Sequence, residues 1–177
     1  MLPRRPRLRR FEYSGFYRYF LTFCTHSRRT VFTNTRAVGL VCEQILSTAR
    51  LQRFSVLAYV FMPDHVHLLV EGRTEDADLK AFASLAKQKS GFAYSQAYRG
   101  RLWQPSYYDR VIRDEDSTWD VIRYIVENPL RAGLVSDITQ YPFLGSGLME
   151  RDELLQEVAS HPTNYWHPAN RRPAQQI

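Results

Sequence analysis

The sequence predicts an α+β domain: a ferredoxin-like, split β-α-β-β-α-β antiparallel sheet with an added tyrosine-bearing helix toward the C-terminal end. Three observations predict it. Four segments rich in aromatic and branched residues recur along the chain, as strands require. Two long stretches of helical apolar periodicity separate the first from the second and the third from the fourth. The middle two segments abut across Pro63-Asp64, a turn dipeptide.

Phe16 to Thr25 reads as the first strand. Asn34 or Thr35 can cap a helix running to about Arg53, with Val38, Val41, Ile45, Leu46 and Ala49 as its buried stripe. The apolar run Ser55 to Phe61 then turns at Pro63-Asp64 into His65-Val66-His67-Leu68-Leu69-Val70. Alternation along a strand points His65 and His67 the same way, and divides Val66, Leu68 and Val70 between the two faces in this reading. A second helix is expected from roughly Ala77 to Tyr98, built on Leu79, Phe82, Ala83, Leu85 and Ala86. Gly100 punctuates the chain, and Tyr107 to Arg113 alternates as the fourth strand. Connections of this order put both helices on one face of the sheet.

A third helix starts at Ser117, where Ser117-Thr118-Trp119-Asp120 resembles a capping box, and stops at Asn128-Pro129. At 100° per residue, Trp119, Val121, Ile122, Ile125 and Val126 form one apolar arc. Tyr124 and Asn128 lie one turn apart at its edge, with Asp120 and Glu127 further toward solvent. Tyr141-Pro142-Phe143 reads as a docked extended segment, followed by a short amphipathic helix near Leu148 to Ser160 and a mobile Pro/Asn/Arg tail. The expected organisation is a basic arm over 1–10, one domain over 11–146, and a helix with tail over 147–177.

Composition narrows the function. Hydrophobic residues make up 44% of the 177, enough for a core and too many for general disorder. The net charge of +6 is carried mostly by arginine, the side chain suited to phosphate, which points to a polyanionic partner. Cys24 and Cys42 are too few for a disulfide framework and fit a reducing, cytoplasmic setting. No apolar run is long enough to span a bilayer, so no membrane partner is expected. Two imidazoles side by side at a strand start are half of a divalent-metal site.

The pattern resembles a known family. His65-Val66-His67 matches the His-hydrophobe-His signature of the HUH single-strand endonucleases. Tyr124 to Val135 (YIVENPLRAGLV) resembles the tyrosine helix of single-tyrosine transposases. Leu102 to Arg113 (LWQPSYYDRVIR) is similar to the WQ block of REP-associated tyrosine transposases. The resemblance spans about residues 11 to 146. It implies Tyr124 as the nucleophile and His65, His67 and Asn128 as ligands of Mg²⁺ or Mn²⁺, with Asp64 behind the histidines.

It further implies cleavage and rejoining of single-stranded DNA beside a palindromic hairpin through a 5′-phosphotyrosine. A phenol of pKa about 10 is ionised only about one part in a thousand at pH 7, so attack needs a polarised phosphate. For DNA contact the sequence offers Arg4, Arg5, Arg7, Lys87, Lys89, Arg101, Trp103, Gln104, Tyr107, Arg110 and Arg113. Arginines would hold phosphates and aromatics would stack unpaired bases. Lys87 and Lys89 stand two apart on a helix, so only one can face DNA. A single chain is expected to carry the whole site. The alternatives are a mobile insertion-sequence transposase working as a homodimer and a domesticated DNA-binding protein without turnover. An RNA-binding module of the same fold would leave the histidine pair unexplained.

Overall fold

The computed structural model describes residues 13–113, 118–161 and 166–168. Its strands are β1 (Arg18–Cys24), β2 (Phe54–Met62), β3 (His65–Gly72), β4 (Tyr108–Ile112) and β5 (Leu144–Gly145). Its α-helices are α1 (Thr35–Leu51), α2 (Leu79–Tyr98), α3 (Thr118–Val126), α4 (Asn128–Arg131) and α5 (Arg151–Ser160). The sheet order is β4-β1-β3-β2-β5, and every adjacent pair is antiparallel. The first four strands have the split βαβ order expected from the sequence, and β5 extends the sheet beside β2.

Local chemistry places the ends. Asn34 caps α1 by accepting from the Ala37 amide at 3.0 Å. Asp78 does the same for α2, accepting from Lys80 and Ala81. The β2–β3 turn is pinned from outside: the Pro63 carbonyl accepts from Val31 and Phe32, and the Asp64 carbonyl from Thr25. That anchoring fixes the register in which Thr22 faces His67 and Cys24 faces His65.

Two apolar layers sandwich the sheet. Tyr19, Leu21, Phe23, Val66, Leu68 and Val70 pack under α1 and α2. Val66, Leu68 and Val70 therefore share one face rather than dividing between two, as a period of two requires. The other face, Phe20, Ala58, Val60 and Leu69, is covered by α3, α5 and Tyr141. Helices thus lie on both faces, because the added C-terminal elements close the side left open by the βαβ units. Tyr141 docks as expected, its hydroxyl donating to the Phe61 carbonyl at 2.6 Å. No helix among the described residues is long and apolar enough to cross a membrane.

Two local expectations change, and a third cannot be followed. Ser117, the proposed cap of α3, lies outside the described residues. Asp120 is buried at 7% exposure rather than turned to solvent. Asn128-Pro129 does not simply stop α3: Asn128 opens the short helix α4 with Pro129 in its first turn, where the missing N–H costs nothing.

Gly72 marks a close backbone crossing. A Cβ there would sit 2.0 Å from the Gly15 carbonyl oxygen, and the Gly72 amide is already bonded to the Tyr17 carbonyl. Neither partner is a side chain that can turn away. Gly72→Ala is expected to cost about 2 kcal/mol or more, read as a drop in chemical-denaturation midpoint. An unchanged midpoint would mean that the backbone at Gly15 is not held against the end of β3.

Candidate active site

The site forms where the first residues of β3 meet β1 and α3. His65 and His67 project from one face of β3, as alternation requires, and their Nε2 atoms lie 3.1 Å apart. Each imidazole is held from behind. The Nδ1 of His67 is 2.8 Å from the Thr22 hydroxyl, across the β1–β3 pair. The Nδ1 of His65 is 2.6 Å from the Asp64 carboxylate, which accepts its proton. Arg28 in turn places its Nε 2.8 Å from the other Asp64 oxygen. This leaves the Nε2 of His65 as a lone-pair donor. Thr22 can donate to or accept from His67, so His67 can also present its Nε2 lone pair.

Burial pushes the proton affinity of His67 well below the ordinary histidine value, with the charges of His65, Arg131 and Arg28 adding to the shift. Burial lowers His65 too, opposed by the Asp64 carboxylate. Both rings are therefore neutral near pH 7, the form a ligand needs. The sign of the stability effect follows. Above about pH 6.5 neither folded nor unfolded histidine binds a proton; below it only the unfolded chain does. Stability in metal-free buffer is expected to fall as pH drops through about 6.5, seen in thermal melts. A flat profile would mean that His67 is protonated in place without cost.

The pair fits one cation. Two nitrogens each about 2.1 Å from a six-coordinate ion, at right angles, stand roughly 3.0 Å apart. Among the described residues no group of three or more histidines, cysteines or carboxylates completes a cluster. The remaining positions would be open to oxygen donors, and half-buried Asn128, the first residue of α4, carries one in its side-chain amide.

Tyr124 is half-buried at the edge of α3. Its ring centre lies 6.1 Å from that of His67 and 5.8 Å from that of Phe20. The Arg131 guanidinium sits 4.3 Å from the centre of the Tyr124 ring, donates to the Tyr124 carbonyl, and pairs with Glu127 at 3.6 Å. The structure therefore brings His65, His67 and Tyr124 together, with Asn128 one turn beyond the tyrosine.

The proposed DNA contacts divide. Arg4, Arg5 and Arg7 lie outside the described residues. The expectations for Trp103 and Lys87 are corrected. Trp103 is 5% exposed and its indole donates to Ser90, so its ring has no open face for a base. The Lys87 ammonium is taken up by the carbonyls of Gln104, Pro105 and Ser106, and burial lowers its pKa to about 8. It organises the loop that leads into β4. Half-buried Tyr107 packs against Phe23, Gln104 is tied by its amide to the Cys24 carbonyl, and Lys89 is half-exposed on α2. Arg101 and Arg113 are exposed.

Arg110 has a different partner from the one expected. It donates to the His167 and Pro168 carbonyls and lies over the Trp166 ring, while Tyr108 also donates to Pro168. Residues 166–168 are thus docked on the site, not loose: Trp166 is 8% exposed and its ring meets Tyr124 edge-on at 5.2 Å, with His167 at 5.5 Å. Sequence reasoning missed Thr22, Arg28, Arg131, Trp166 and His167. The one available signal was Trp166 itself, a large aromatic in a mostly polar tail.

Residues 15–128 match the family described as "Transposase IS200 like", a span that includes both histidines, Tyr124 and Asn128. The chain is similar to a REP-associated tyrosine transposase of Escherichia coli, 26% identical over 75% of this chain and 80% of the relative. It is also similar to the ISDra2 transposase TnpA of Deinococcus radiodurans, 33% identical over 50% of this chain and 68% of the relative. The fold matches a solved REP-associated tyrosine transposase bound to a REP hairpin, with TM-score 0.66, 22% identity and 98% of each chain covered. With more than half of its length matched by one family, and its histidine pair and tyrosine inside that match, the chain belongs to the IS200-like transposases.

Proposed function

We propose that this protein is a metal-dependent transposase of the REP-associated type, cleaving and rejoining single-stranded DNA beside a palindromic hairpin. One observation carries the reading: two neutral imidazoles, aimed at one point 3.1 Å apart, lie next to the ring of a half-buried tyrosine. A structural hydrogen bond between the histidines would account for the 3.1 Å contact alone, and not for the tyrosine ring set beside it. The solved relative holds a REP hairpin, which supports the same class of substrate here.

In this reading Tyr124 is the nucleophile, and His65, His67 and Asn128 hold Mg²⁺ or Mn²⁺. The bound ion would polarise a non-bridging phosphate oxygen and orient the phosphate for in-line attack. Asp64 and Thr22 hold the imidazoles with their Nε2 atoms forward. Phe20 and Trp166 keep the phenol from turning away. The α3 backbone carries that phenol to the end of the sheet where β3 begins. Tyr124 stands beside His67 of its own chain, which supports a monomer over the dimeric alternative.

The test is a denaturing gel of the protein with an end-labelled single strand carrying the hairpin, with and without Mn²⁺ or Mg²⁺. A covalent protein–DNA band is expected with metal, on the hairpin strand and not on its fully paired form. Hairpin binding without an adduct under any metal would favour the domesticated DNA-binding reading.

A further inference from the structure

Two arginines that the reading above leaves without a role flank the site. Arg28 stands on the His65 side. Its side chain is 49% exposed, with Nε on Asp64 at 2.8 Å and Nη1 on the Cys24 sulfur at 2.9 Å. Its backbone is unusual: Ser27 and Arg28 are consecutive non-glycine residues with φ of 56° and 55°. Left-handed backbone costs on the order of 1–2 kcal/mol per residue and persists where the surroundings over-determine it. Here they do. Thr25 donates its hydroxyl to the Arg29 and Asp64 carbonyls, His26 donates to Leu102, and Arg29 reaches the Arg101 carbonyl. The effect of this bracing is to aim Arg28 at the histidine end of the sheet.

Arg131 stands on the other side, its guanidinium 4.3 Å from the centre of the Tyr124 ring and its side chain 36% exposed. Both guanidinium groups already meet a carboxylate, Arg28 at Asp64 and Arg131 at Glu127, but Glu127 is shared with Arg123, so guanidinium outnumbers carboxylate in these pairs and a further anion is favoured. An oligonucleotide phosphate is the anion that fits: planar guanidinium donors match its non-bridging oxygens.

We propose that Arg28 and Arg131 clamp the scissile phosphodiester from two sides, Arg28 beside the histidine pair and Arg131 beside the attacking phenol. This rests on the transposase reading and extends it to two further residues in contact with the reacting phosphate. In the step they serve, the Tyr124 oxygen bonds to phosphorus as the bond from phosphorus to the 3′-oxygen breaks. The 3′-oxygen leaves with the electron pair and takes up a proton as the 3′-hydroxyl, and the phenolic proton is released to solvent. Negative charge grows on the non-bridging oxygens in the transition state, where fixed cationic donors act most strongly.

The experiment separates the clamp from a structural role. Wild-type protein first maps the cleavage position on the hairpin strand. Absence of any cleavage there would overturn the transposase reading and the clamp with it. Given cleavage, R28Q and R131Q are each expected to slow single-turnover adduct formation about 100-fold. Binding is then compared in a Tyr124→Phe background, which cannot turn over, using strands with a phosphodiester or an uncharged methylphosphonate at the mapped position. Neutralising that one linkage should weaken binding about tenfold when both arginines are present. The penalty should shrink toward nothing when Arg28 or Arg131 is replaced by Gln. If cleavage occurs but the penalty is the same in all variants, the arginines only brace the fold and the clamp is wrong, while the transposase reading stands.

Discussion

Tyr124→Phe is expected to remove the covalent protein–DNA adduct altogether while leaving the fold and hairpin affinity close to wild type. The change deletes one oxygen. The ring contacts that hold residue 124, to Phe20, Trp166, His167 and Arg131, are made by the carbon framework and survive in phenylalanine. Thermal stability should therefore shift by no more than about 1 kcal/mol, within the range of mild substitutions. A phosphodiester, by contrast, has no other phenol on α3 to attack it. Removal of a nucleophile typically costs several orders of magnitude. The competing tyrosines are poorly placed: Tyr107 packs on Phe23 under the α2 side, and Tyr108 donates its hydroxyl to Pro168. Denaturing gels with an end-labelled strand read the outcome directly. An adduct of undiminished intensity from the Phe variant would transfer the nucleophile to another residue and undo the assignment of α3.

The reason this residue can be picked from the sequence is that helix and strand periods are local. His65 and His67 have to share a face because one residue separates them on a strand, and they do. Tyr124 has to sit at the edge of the apolar arc formed by Val121, Ile122, Ile125 and Val126, and it is half-buried there. The sheet order follows from element order, since split βαβ units admit few arrangements. What stays hidden depends on register and on long-range docking. Thr22 meets His67 only because β1 pairs with β3 in one register, set by the pinned Pro63-Asp64 turn. Arg28 reaches Asp64 from a loop whose left-handed backbone no residue type there announces.

The errors have the same origin. Trp103 looks like a base-stacking platform because an aromatic beside basic residues reads that way, yet the Ser90 hydroxyl and the α2 face take its ring into the core. Lys87 looks like a phosphate contact, but three carbonyls of the loop before β4 converge on it. The tail reads as loose from its Pro/Asn/Arg composition, whereas Arg110 and Tyr108 offer donors that fix His167 and Pro168 and seat Trp166 on Phe20. Composition describes a segment alone; it does not say which donors wait for it elsewhere on the sheet.

The second large effect is expected at His67. His67→Ala should abolish metal-dependent cleavage and weaken Mn²⁺ binding at least tenfold, measured by the loss of free Mn²⁺ signal in magnetic resonance titration. The two histidines do not contribute equally to the protein. His65 is more open and held by a carboxylate at its own turn, whereas His67 is 4% exposed, tied to Thr22 and packed on Phe20 at 5.1 Å. Removing the His67 ring therefore also leaves a void between Phe20 and Tyr124 and an unanswered Thr22 hydroxyl, for a stability cost of about 1–3 kcal/mol. That cost confounds activity alone, so His67→Gln and Thr22→Val belong beside it. Glutamine keeps a polar atom in the space but cannot reproduce the imidazole lone pair aimed beside His65. Thr22→Val keeps the ring and removes only the group that sets its orientation. The expected order of Mn²⁺ affinity is wild type, then Thr22→Val, then His67→Gln and His67→Ala, with cleavage following the same order. If His67→Gln bound Mn²⁺ as tightly as wild type, the 3.1 Å approach of the two Nε2 atoms would be a hydrogen bond within the fold and no cation site.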